Sequence, residues 1–143
     1  MNTLTIFIAS AVASATLAIL SPGASAQSTM TYPEKCKSQG MDLSKMNMPS
    51  ESMPMGDMTD YQKASIEGMK NMHMNMMQGM MKNDADVSFV CGMIAHHMGA
   101  ISMSEVELKY GDNDEAKQMA QKIIEAQKKE IEEMSKWVDK EAK

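Results

Sequence analysis

The segment Met93-Ile94-Ala95-His96-His97-Met98, with Met103 five residues further on, sets thioethers and imidazoles at helical spacing. Thioether sulfur is a soft ligand that selects Cu(I) and, on the same grounds, Ag(I), whereas Zn, Mg and Ca favour imidazole, thiolate or oxygen. Imidazole extends the range to Cu(II). A thioether has no proton to lose, so a Met site keeps its affinity in acid where His ligands become protonated. Helical neighbours diverge by about 100°, so His96 and His97 do not form a chelating pair. The useful partners lie three, four or seven residues away: Met93 with His96, Met93 with His97, and His96 with Met103. Upstream, Met69, Met72, His73 and Met76 repeat the spacing, and an antiparallel helix would present them across an interface. The candidate metal set is therefore Met93, His96, His97, Met98, Met103, Met69, Met72, His73 and Met76. Gln127 or Glu130 falls near an apolar stripe downstream, where either would accept a hydrogen bond from an imidazole and orient it.

Methionine is the compositional outlier, at 20 of 143 residues. A helical stripe of Met is commonly core filler, which is the plainer reading of Met119 and Met134. That reading fails for Met46-Asn47-Met48-Pro49 and Met53-Pro54-Met55, which lie in residues 27–58, a Ser-, Pro- and Gly-rich arm with little else apolar to bury. Met46, Met48, Met53 and Met55 are candidate secondary metal ligands, or a reversible oxidation screen. Cys36 and Cys91 are the two cysteines. A bridge between them would tie the arm to a helix; the alternative is a free thiolate close to Met93.

Three helices must position these groups. The first starts at an N-cap Thr59 or Asp60, carries Tyr61, Ser65, Met69, Met72, Met76 and Met80 on one stripe, and ends near Lys82. The second is capped by Asn83 or Asp84, bears Val87, Val90, Ile94, His97, Ile101 and Leu108 on one face, and stops at Gly111. Phe89, Met93, Ala100 and Met103 give it a further apolar face, as a central helix requires. The third is capped by Asp112 or Asn113, with Ala116, Met119, Ala120, Ile123, Gln127, Ile131, Met134 and Val138 at helical spacing. Short turns make neighbours antiparallel. The expected fold is an all-α bundle of three long helices over residues 59–143, or four if the arm adds a short one.

Leu4 to Leu20 is uncharged and apolar or small, and leads into Ala24-Ser25-Ala26, the pattern of a signal peptide cleaved after residue 26. Its Ser, Thr and Ala content makes it a poor spanning helix, so a periplasmic or secreted protein without stable membrane insertion after cleavage is expected; no Lys or Arg precedes the run, and an uncleaved anchor is the alternative. The net charge is −5 and there is no Arg, which argues against nucleic-acid binding. Di-iron chemistry would need Glu three residues before a His, which none of the three has, and Cys91 lacks a well-placed base, so an enzyme is not expected.

The run Phe89 to Met103, followed by Leu108-Lys109-Tyr110-Gly111 and by Ile123 to Trp137, resembles the DUF305 family, with Met72-His73 fitting as well. The resemblance spans about Tyr61 to Val138 and centres on Met-Ile-x-His-His-x-Gly-Ala-x-x-Met. Ala95 stands where the family often has Pro, and Ser104 where Ala is common; neither departure removes a proposed ligand. The resemblance implies a ferritin-like helical bundle, usually exported, with some members similar to periplasmic copper-binding proteins of the CopM kind that bind Cu(I) and Ag(I). Copper tolerance or trafficking among other envelope copper-handling proteins is the expected role. The competing expectation is a non-catalytic envelope interaction or chaperone-like protein whose methionines pack, or buffer oxidation.

Overall fold

The computed structural model describes residues 30–38 and 55–143, and shows helices with no strand among them. The signal-peptide residues and Met46, Met48 and Met53 lie outside the described residues. Met55 opens a short 3-10 helix, Met55–Asp57, that leads into α1.

Helix α1 spans Asp60–Met80, α2 Ala85–Tyr110 and α3 Asp114–Glu141. Each begins at a side chain that satisfies orphan N–H groups of its first turn. Thr59 forms a reciprocal capping box with Gln62. The Asp84 carboxylate accepts from the backbone N–H of Asp86 and Val87, and Asn113 from that of Ala116. α2 continues as helix through Ala95 without interruption and closes at Gly111, whose N–H donates to the Glu107 carbonyl.

α2 is the central element: α1 and α3 each pack along it, and share at most marginal contact with each other. The three faces of α2 follow from this. Val87, Ile94, His97, Ile101 and Ser104 are buried on the side toward α3, against Ala120, Ile124, Ile131 and Val138. A second side, with Cys91, Ala95, Gly99 and Ser102, meets α1. There a Cβ on Gly68 would stand 2.2 Å from Ser102 Oγ, and one on Gly79 would stand 2.9 Å from the backbone of Cys91. These contacts fix an antiparallel register in which Gly68 faces Ser102, Met72 faces Gly99 and Gly79 faces Cys91. The third side points outward.

Two expected stripes are displaced. In α3 Met119 is 54% and Ile123 42% exposed, and Ile124 is buried instead. A helix that packs on a single neighbour buries only a narrow stripe, here Ala120, Ile124, Ile131 and Val138, and residues about 100° to one side stay in water. In α1 Tyr61, Met69 and Met80 are exposed, because the contact line runs through glycines that an apolar pattern does not register.

Candidate metal centre

Cys36 and Cys91 are joined by a disulfide, with Cα atoms 5.4 Å apart. Cys36 ends a 3-10 turn, Glu34–Cys36, laid across the end of the bundle where α1 finishes, α2 starts and α3 finishes. Around it Tyr32 is buried and donates to the Cys91 carbonyl at 3.1 Å, and Ser38 donates to the Gln78 carbonyl at 2.7 Å. Lys35 Nζ donates to the carbonyls of Asp139 and Ala142, and Lys82 Nζ to that of Lys37. A cation on the last carbonyls of α3 also suits the negative end of its dipole. Residues 30–38 of the Ser-, Pro- and Gly-rich arm are thus a fixed strap, and both cysteine sulfurs are committed to the bridge rather than free as thiolate.

The strap carries Met30 into a cleft between α1 and α2. The cleft holds about 200 Å³, and its lining includes Met30, Met72, Met98, Asn71, Asn75, Ser102 and Glu105. Gly99 makes the room: a Cβ there would fall 2.3 Å from Met72 Sδ, so the thioether lies directly over the glycine. Three methionines line one cleft beside amide, hydroxyl and carboxylate groups, so the thioethers offer soft donors of the kind Cu(I) favours next to harder oxygen donors. Of the sequence candidates, the cleft gathers Met72 and Met98. It adds Met30, which carries no helical periodicity; its one signal was a position six residues before Cys36.

The remaining candidates fall elsewhere. His97 is 8% exposed and faces α3, where its Nε2 lies 2.5 Å from Glu130 Oε2. A carboxylate accepts, so Nε2 carries the proton, and Nδ1 is buried with no hydrogen-bond partner. The expected orienting carboxylate is Glu130. His96 and His73 are exposed, and the His96 and His97 rings stand 5.9 Å apart, edge to face. Met69 and Met103 are each 53% exposed, while Met76 packs against the core and Met93 is half-buried. By register, Met69 lies level with Ile101 and Ser102, and Met76 with Ile94 and Ala95. Along the unbroken α2, seven residues separate His96 from Met103 by about 10.5 Å, too far to share one ion directly. Among the described residues no three His, Cys, Asp or Glu side chains are grouped to hold a metal.

The profile of DUF305, a domain of unknown function, matches residues 23–138. The match starts well before Tyr61 and so includes the strap with Cys36. No curated protein matches the chain.

Proposed function

The chain belongs to the DUF305 family, and on that footing we propose that it is an exported protein that binds Cu(I), with Ag(I) as a surrogate, for copper tolerance or trafficking. The observation that carries this reading is the convergence of Met30, Met72 and Met98 on one cleft. The disulfide supports an oxidising compartment outside the cytosol, as a periplasmic or secreted location requires. Copper here is cargo, and oxidation to Cu(II) would favour imidazole over thioether. His73, His96, Met69 and Met103 on the open side of the α1/α2 pair are the exposed donors that would receive or pass on an ion. Exchange with other envelope copper-handling proteins would use that side.

Titration of the protein secreted from its full-length precursor with Cu(I), against a chromogenic chelator, tests the reading. The protein is expected to withdraw Cu(I) from the chelator. Met72→Leu with Met98→Leu is expected to weaken the tightest site at least about tenfold, or about 1.4 kcal/mol, while leaving helicity unchanged. A chelator that keeps all its copper at micromolar protein overturns the proposal.

A second reading has its own observation: Phe89 is 67% exposed, with Met69, Met80, Met81, Met103 and Met119 also in water. Such a surface suits an interaction or chaperone-like protein, or an oxidation buffer. Protein recovered without copper from copper-supplemented cells would favour it.

A further inference from the structure

α2 is long and apolar enough by length and composition to cross a membrane, yet α1 and α3 cover only two of its sides. Its third side is a stripe of alternating four- and three-residue steps: Phe89, Met93, His96, Ala100, Met103, Glu107 and Tyr110. Phe89, His96, Met103 and Tyr110 are exposed, and Met93, Ala100 and Glu107 half-buried. The charged member is turned aside, since a Cβ on Gly111 would meet Glu107 Oε1 at 2.1 Å, which sets the carboxylate over the end of the helix. Three heptads of this spacing form a coiled-coil seam. Read in reverse, the stripe sets Phe89 against Tyr110, His96 against Met103 and Met93 against Glu107, with Ala100 near the middle. An uncovered helix face of this kind can meet a second copy of itself about a two-fold axis.

We propose that two copies pair antiparallel along this stripe, and that soft monovalent ions, one in each half of the interface, hold the pair. A two-fold axis beside Met98 to Ala100 carries Met103 of the second copy to the level of Met93 and His96 of the first, and the reverse. Each half of the interface then gathers two thioethers and one imidazole. Within one chain Met103 lies about 10.5 Å along the helix from His96, so the second copy completes a set that one copy leaves open. The small Ala100 lets the helices approach at the axis, and antiparallel pairing also opposes their dipoles. A helix of 26 residues is about 39 Å long and about 10 Å wide. The stripe therefore buries about 800 Å² in total, short of the roughly 1,200 Å² of a stable interface. The ions supply the difference, which makes pairing depend on them.

The inference rests on the copper reading for the identity of the ion, and Ag(I) separates the two. Sedimentation of the secreted protein at micromolar concentration is expected to give a monomer without Ag(I) and twice that mass with it. Met103→Leu and Ala100→Glu are expected to stay monomeric with Ag(I), while Met72→Leu with Met98→Leu still doubles. A Met103→Leu or Ala100→Glu protein that doubles like the wild type overturns the interface. Wild-type protein that binds Ag(I) without change of mass overturns the pairing and leaves the cleft standing. Failure of every variant to bind Ag(I) overturns both.

Discussion

The two seams that α2 makes differ in kind. Toward α3 it is aliphatic: Ile94, Ile101, Ile124, Ile131 and Val138 are buried, with one charged contact, His97 to Glu130. Toward α1 it is built from Gly68, Gly79, Ala95, Gly99 and Ser102, and Gly79 is the one residue of α1 that is fully buried. Burying aliphatic groups yields about 1.5 to 3 kcal/mol per side chain. Close approach of glycines brings backbones together but adds little apolar area. The α2/α3 seam therefore holds the fold, while in the α1/α2 seam small residues admit close neighbours such as the Met72 thioether over Gly99. The strap compensates for the weaker seam, because its disulfide and its bond to the Gln78 carbonyl tie the end of α1 to α2.

Removing the strap is the most severe test of that division. The bridge closes a loop with a sequence separation of 55, for which chain entropy gives about 4 kcal/mol. Cys36→Ser with Cys91→Ser is expected to lose most of this in urea unfolding. It is also expected to weaken Cu(I) binding, because Met30 is no longer held in the cleft. If stability falls while copper affinity stays constant, Met30 is not a ligand and the cleft works with Met72 and Met98 alone.

Ile131→Ala probes the opposite seam. Ile131 is 3% exposed, and truncating a buried Ile costs about 2 to 5 kcal/mol. Thermal unfolding is expected to show that loss, with the copper affinity of the folded protein unchanged. A parallel drop in affinity at temperatures where the variant remains folded would show that the two seams are coupled.

The same contrast explains what was legible in the sequence. Helix number, order and ends were readable because caps and periodicity are local: Thr59, Asp84 and Asn113 each sit where their side chains satisfy N–H groups. The α3-facing stripe of α2 was readable because its apolar members, Val87, Ile94 and Ile101, repeat at helical spacing. The α1 contact line was not, since its main members are glycines, which a search for apolar residues passes over in favour of Tyr61, Met69 and Met80. The cleft was half legible. Met72 and Met98 belong to the helical Met pattern, but Met30 enters through a tertiary tether that no spacing rule describes. His97 was placed among the soft donors, yet its direction depends on which side of α2 receives α3.

The smallest effect comes from the link between the strap and the seam. Tyr32 is buried, and its hydroxyl donates to the Cys91 carbonyl. Tyr32→Phe removes that bond, at a cost of about 1 kcal/mol, while keeping the buried ring. Burial pushes the Tyr32 phenol well above its usual value near 10. A raised acid favours the folded state only while the unfolded phenol also keeps its proton. The contribution is fully present below about pH 10 and is lost as pH rises toward the folded value, at about 1.4 kcal/mol per pH unit. The stability gap between wild type and Tyr32→Phe is therefore expected to be constant from pH 7 to about pH 9 and to narrow above about pH 10. Urea midpoints along that range measure it. A gap that widens in alkali would mean that the phenolate is accommodated in the fold, and that the strap seals the end of the α1/α2 seam less tightly than the burial of Tyr32 implies.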